Sequence, residues 1–210
     1  MRTITKKETL YTFDELSTQA QETAIQAERK RLMKEYKPDY LRTITNEEAI
    51  NWEEDTGIPI DKYDIVYILG KPQEAGLSFT TRVDEYIDIE QLFHYYTAQG
   101  RRERKRIKDI EKQPEYWYVL NNYRFIISRD TYYRINKSTV SCEYWDKFYS
   151  DRGSQVAEKI SQIINEIKDM ICQGIYGRLQ AAREYMTDPD TIAEKLETNG
   201  YEFTEDGTMI

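Results

Sequence analysis

Between residues 156 and 171 the side chains Val156, Ile160, Ile163, Ile164, Ile167 and Ile171 recur with a 3.6-residue period, separated by polar and charged residues. A strand would send alternate members of such a set to opposite faces, whereas a helix gathers them into one stripe. The segment therefore has to be a long amphipathic helix, and the rest of the chain has to supply an apolar surface to cover it. Tyr176, Leu179 and Met186 continue the pattern, with Gly174 and Gly177 as candidate bend positions. Asp188-Pro189 starts another helix, Asp as cap and Pro in the first turn, and Asn199-Gly200 ends it. Tyr201, Glu202 and Phe203 read as a short closing strand and Asp206-Gly207 as a turn.

The other elements are shorter. Ile4, Leu10 and Tyr11 suggest an N-terminal strand that ends at Thr12-Phe13-Asp14-Glu15, where Thr12 and Glu15 have capping-box spacing. The helix that follows carries the narrow stripe Leu16, Ala20, Ala24 and Ala27 and stops before Lys37-Pro38. A second helix is expected from Asn46, capped by Thr45 with Glu48, to Glu54, and ended by Gly57. Ile65–Leu69 and Leu77–Val83 read as an antiparallel pair interrupted at Gly70-Lys71-Pro72, and Asp88 as the cap of a helix bearing Ile89, Leu92, Phe93 and Tyr96. Tyr123, Phe125 and Ile127, then Val140, Cys142 and Tyr144, alternate with polar residues as two further strands joined around Tyr132-Tyr133.

Strands in the middle, helices at both ends and no βαβ rhythm predict an α+β fold: one mostly antiparallel sheet of about five strands packed with N- and C-terminal helices. At 210 residues the chain reads as a single domain over 1–210, its helical part 151–200 packed on the sheet. No apolar run approaches the roughly 18 residues of a membrane span and the N-terminal residues lack the apolar block of a secretory signal, so the expectation is a cytoplasmic protein with no membrane partner.

Composition narrows the chemistry. Two cysteines, Cys142 and Cys172, and one histidine, His94, leave no Cys/His zinc constellation, no disulfide framework, and no imidazole base of the kind a Ser or Cys nucleophile usually needs. No glycine-rich phosphate loop is present, since Gly70-x5-Gly76 lacks the Gly-Lys-Ser/Thr ending. No cofactor and no catalytic residue are therefore assigned, and the expectation is a protein that acts by binding. A carboxylate set at Asp84, Glu85, Asp88 and Glu90 is the one place to ask whether a divalent metal binds.

Charge supplies the candidate surfaces. Thirty Lys+Arg against 38 Asp+Glu give a net charge of −8, and it is clustered. Glu47, Glu48, Glu53, Glu54 and Asp55 form one acidic patch; Glu197, Glu202, Glu205 and Asp206 belong to another, because residues 184–210 hold eight acids against Lys195 alone. Such patches imitate the phosphates of a duplex and suit a basic groove on a nucleic-acid enzyme. The contrast is the block Arg101, Arg102, Arg104, Lys105 and Arg106 up to Lys108, with Tyr132 and Tyr133 among the aromatics that follow: guanidinium groups for phosphates, rings for bases. Either set also fits a merely solvated exterior.

Several segments together resemble a family of small, uncharacterised phage and prophage proteins, some of them labelled antitoxin-like. They are Tyr11-Thr12-Phe13-Asp14-Glu15-Leu16-Ser17 before an Ala-rich helix, Gln73-Glu74-Ala75-Gly76-Leu77-Ser78-Phe79-Thr80, the pair Tyr132-Tyr133, and the ending Asn199-Gly200-Tyr201-Glu202-Phe203-Thr204-Glu205-Asp206-Gly207. Glu74-Ala75 stands where the family has Gly-Asp, and Tyr133 where histidine is common. The resemblance implies a setting, the mobile elements of bacteria, and no established reaction. It implies a phage-encoded counter-defence protein that binds a host defence protein stoichiometrically, an anti-CRISPR-type inhibitor of a Cas nuclease being the specific expectation. The alternatives are a binder of nucleic acid or of a signalling nucleotide through residues 101–108, and the antitoxin of a toxin–antitoxin pair.

Overall fold

The computed structural model describes residues 9–34, 38–61, 63–69, 76–83, 86–129, 138–144 and 153–210. Tyr132, Tyr133, Asp84, Glu85, Ile4 and residues 73–75 of the family-like turn lie outside them. The chain is mainly helical, with two small antiparallel sheets in place of one five-stranded sheet. It divides into two compact units, residues 1–41 with 180–210, and residues 42–179.

The first unit is built by the two ends of the chain. Phe13–Glu15 is a 3-10 turn, followed by α1 (Thr18–Lys34), while α7 (Pro189–Thr198) comes from the C-terminal end. Of the expected stripe, Leu16, Ala20 and Ala24 are buried, together with Phe13, Leu32, Ile192, Leu196 and Phe203, whereas Ala27 is exposed and its neighbour Glu28 turns inward. Alanines let the two helices approach closely, and the Phe13 and Phe203 rings meet at a centroid distance of 6.0 Å. The Thr12–Glu15 pair does interact, the Thr12 amide donating to Glu15 Oε2 at 2.9 Å, but it closes the 3-10 turn, and Ser17 Oγ takes the α1 end by accepting from Ala20 N. Asp188 caps α7 as expected, accepting from the amides of Asp190 and Thr191. Among the described residues, the expected terminal strands are represented by bridges: Tyr11 pairs antiparallel with Phe203, and Phe203 with Met209.

The second unit contains α2 (Pro38–Thr56) from Arg42 onward, β1 (Val66–Ile68), β2 (Gly76–Ser78), β3 (Thr81–Val83), α3 (Tyr86–Ala98), α4 (Arg101–Glu111), α5 (Tyr116–Asn122), β4 (Tyr123–Arg129), β5 (Ser138–Tyr144) and α6 (Ser154–Met186) as far as Leu179. β1 pairs with β2, and β4 lies between β3 and β5. The expected strand over residues 77–83 is thus two strands in two sheets. Leu77, Ser78 and Phe79 are all buried in succession, which a single half-buried strand does not allow, and the chain changes sheets there. β4 follows the alternation in burial and pairs with β5 in register, Phe125 facing Cys142 and Ile127 facing Val140, but along β5 Ser141, Cys142 and Glu143 are all exposed.

α2 starts eight residues before the expected Asn46. Pro38 stands at the first position of the helix, and Thr45 is not a cap but a buried residue inside it, on the stripe Leu41, Thr45, Ala49. Likewise Asp88 stands in the first turn of α3 rather than before it. The isoleucines of α6 are fully buried, and the helix runs on through Gly174 and Gly177. Gly174 has a packing reason: a Cβ there would lie 2.5 Å from Cζ2 of Trp52, so the helix admits the indole only because the side chain is missing.

Candidate functional surfaces

The acidic residues of α2 do not act alike. Glu48 is largely buried and receives a hydrogen bond from Arg178 Nε at 3.1 Å, which fixes α2 to α6. Glu53 is exposed, yet its Oε2 accepts from the amide of Ile60 at 3.3 Å. Glu47, Glu54 and Asp55 are exposed. Glu47, Asn51 and Glu54 follow i, i+4, i+7 spacing and so share one stripe, and Ile50 beside it is 54% exposed. An apolar side chain rimmed by carboxylates has the composition of an interface centre.

The C-terminal end of α2 is held in place by two contacts and a turn. Thr56 Oγ1 donates to Trp52 O at 2.6 Å, Gln91 Nε2 donates to Glu54 O at 2.6 Å, and Gly57 takes φ 73. At Gly57 a Cβ would lie 3.0 Å from Gln91 Cβ, so the αL turn and the approach of α3 both require glycine. These contacts frame a shallow cleft of about 420 Å³ lined by Ile50, Glu53, Glu54, Gly57, Asp88 and Gln91. Three of the six are carboxylates, and the carbonyl end of a helix macrodipole adds partial negative charge. No basic residue stands in the last turn of α2. Glu53, Glu54 and Asp55 therefore crowd an end where acids are locally unfavourable, and helix formation gives no reason for them. The cleft suits a cationic side chain with an apolar stem.

The C-terminal acids sit elsewhere, in the first unit. Glu197 is exposed on α7. Asp206 serves its own loop. Its Oδ1 accepts from Thr204 Oγ1 at 2.5 Å and from Thr208 N at 3.1 Å, closing the last turn, and the Thr204 hydroxyl holds its carboxyl below the usual range. Glu202 and Glu205 are exposed around that turn. The two acidic patches belong to different units.

The basic block is α4. Arg101, Arg102, Arg104 and Lys105 are exposed, and Ile107 and Ile110 are buried on the opposite side. Arg106 is engaged inside the unit. It donates to Glu166 Oε2 at 2.7 Å and to the hydroxyl of Tyr96, and that hydroxyl donates to Glu166. Burial, and the Glu166 carboxylate that accepts its proton, push the Tyr96 phenol up to about 12; the Glu166 carboxyl is held low by Arg106 and Tyr96 against the opposing effect of burial. This triad joins α3, α4 and α6 over separations of ten and sixty residues, and no local pattern announces it.

Other polar pairs were equally silent. Glu28, buried on α1, accepts from Arg31 Nε at 2.6 Å and from Lys195 Nζ at 3.0 Å; only the i, i+3 part was visible in the sequence. Among the described residues no group of three or more His, Cys, Asp or Glu is placed to hold a metal, and both cysteines are free thiols. No described helix is long and apolar enough to cross a membrane. No protein-family model, curated protein or solved structure matches the chain.

Proposed function

We propose that the protein is a non-catalytic, phage-type counter-defence factor that binds a nucleic-acid-handling host nuclease, of the Cas kind, and blocks it by occupancy. The observation that carries this reading is the C-terminal half of α2: exposed Ile50 beside Glu47, Glu53 and Glu54, above a carboxylate-lined cleft, with exposed Asp55 further round the same end of the helix. The basic channel of a nuclease offers such a surface its complement, arginine and lysine side chains that otherwise hold phosphates. Ile50 supplies the apolar centre, and the carboxylates give fast, oriented encounter and salt sensitivity. The C-terminal acids have a smaller part, because Asp206 is committed to its own turn.

The reading is tested by titrating the protein into a cleavage reaction of the nuclease it protects against, with the variants Ile50→Arg and Glu54→Lys. Both positions are exposed, so the fold tolerates the change. Inhibition at one-to-one stoichiometry that weakens by tenfold or more in either variant supports the proposal. Inhibition that persists in both, or that turns over substrate, refutes it.

A further inference from the structure

At 100° per residue, Arg101, Arg104, Lys105 and Lys108, continued by Lys112 at the C-cap, fall within about 100° of arc on α4. That arc is opposite the buried Ile107 and Ile110. At 1.5 Å per residue the row is about 16 Å long. Asp109 and Glu111 lie at its margins and Glu103 on the other side, so the row itself holds no acid. All five cations are exposed, and no ion pair within the described residues engages them.

Helix formation is not served by this arrangement. Arg101 and Arg104 stand at the positive end of the helix dipole, and Arg101–Lys105, Arg104–Lys108 and Lys108–Lys112 are like-charge i, i+4 pairs, each of which weakens the helix. A local rule broken repeatedly, on one face, in a chain of net charge −8, marks a surface kept for a partner. Five residues beyond Lys112 comes Trp117, 59% exposed and set edge-on against Tyr116 at 5.3 Å. Chain length keeps its Cα within about 18 Å of that of Lys112.

We infer that this face of α4, with Trp117, binds the phosphate backbone of single-stranded nucleic acid. A row of cations on a convex helix neutralises consecutive phosphates of one strand, and an exposed indole stacks on a base only if that base is unpaired. The surface is distinct from the α2 cleft, so the nuclease reading and this one stand or fall separately.

The test is fluorescence anisotropy of labelled twenty-nucleotide single-stranded RNA, single-stranded DNA and the corresponding duplex, titrated with the full chain over a range of salt and with no nuclease present. Five phosphate contacts predict a slope of log K against log salt of about −3.5 for single strands. In the triple variant Arg101→Gln, Arg104→Gln, Lys105→Gln, checked for folding by circular dichroism, two contacts remain and the slope falls to about −1.4. Trp117→Ala weakens binding roughly tenfold while leaving the slope unchanged. Equal affinity for RNA and DNA identifies the backbone as the ligand, and preference for RNA adds recognition of the 2′-hydroxyl. Absence of binding at low salt, tighter binding of the duplex, or a slope unchanged in a folded triple variant overturns the inference.

Discussion

Replacing Gly207 with alanine tests whether packing accounts for the motif at residues 199–207. Gly207 has φ 86, and a Cβ built on it would lie 2.9 Å from the carbonyl carbon of Ala20 on α1 and closer still to its oxygen. The left-handed conformation costs an L-residue about 1–2 kcal/mol. The clash is with backbone, which no rotamer relieves, so the C-terminal turn has to move. Three hydrogen bonds go with it: Gly207 N to Thr204 O at 2.9 Å, Thr204 N to Thr208 O at 2.9 Å and Ile210 N to Glu202 O at 3.0 Å. At about 1 kcal/mol each, the loss totals about 4–5 kcal/mol. Gly200 is the control, with φ 62 and open space around its missing side chain, so Gly200→Ala costs only the conformational part, about 1 kcal/mol. The assay is amide exchange at Tyr11 and Phe203, each of which donates to the other's carbonyl at 2.9 Å, alongside urea unfolding of the full chain. The reasoning is refuted if the two alanine variants lose equal stability, or if Tyr11 and Phe203 stay protected in Gly207→Ala.

Glu28 makes the first unit acid-sensitive. Arg31 first, then Lys195, hold its carboxyl below the ordinary value of 4.5, so the stabilisation is present above that pH and is lost as pH falls through the lower folded value. Melting temperature followed from about pH 7 to about pH 3 should drop steeply at the acid end for the wild type and less steeply for Glu28→Gln, which is itself weaker by about 2 kcal/mol at neutral pH because two half-exposed cations lose their buried partner; parallel curves would sink the assignment. The cysteines differ in the same physical sense: burial pushes the Cys172 thiol up to about 12, while Cys142 is exposed on β5. Iodoacetamide at about pH 8 should alkylate Cys142 first and leave Cys172 until the protein unfolds, and mass spectrometry showing equal rates would contradict that.

Long-period patterns were legible in the sequence, and features that depend on distant partners were not. The α6 stripe, the Asp188-Pro189 start of α7 and the β4 alternation are local, so residues 156–171, 188–198 and 123–129 announce their own structure. The expected α2 starts too late because Pro38 serves the first turn of a helix as readily as it follows the end of another, and only the burial of Leu41 and Thr45 shows that it does so here. α5 was missed because Tyr116-Trp117-Tyr118 resembles a strand in composition while being a seven-residue helix whose Tyr116 stacks on Phe93. The motifs at residues 11–17 and 199–207 are visible in the sequence, but not that they meet: Tyr11 and Phe203 pair, and Phe13, Phe203 and Gly207 account for much of both motifs by packing alone. For the surfaces, the sequence located the charged blocks and could not sort them. Glu48 and Arg106 turn inward to Arg178 and Glu166, and Asp206 to its own turn, leaving Glu47, Glu54 and Asp55 on one side and Arg101, Arg104 and Lys105 on another.

The central claim is that the protein acts by binding through the exposed end of α2. It is tested most directly by plaque assays on bacteria that each carry a single defence system, one CRISPR–Cas type at a time, expressing either the wild-type chain or Ile50→Arg with Glu54→Lys. The account predicts that the wild type restores infection against a nuclease-based system and that the folded double variant does not. Restoration by both proteins alike, or by neither against any nuclease-based system, would contradict it, and in the latter case a toxin encoded beside the gene becomes the partner to seek.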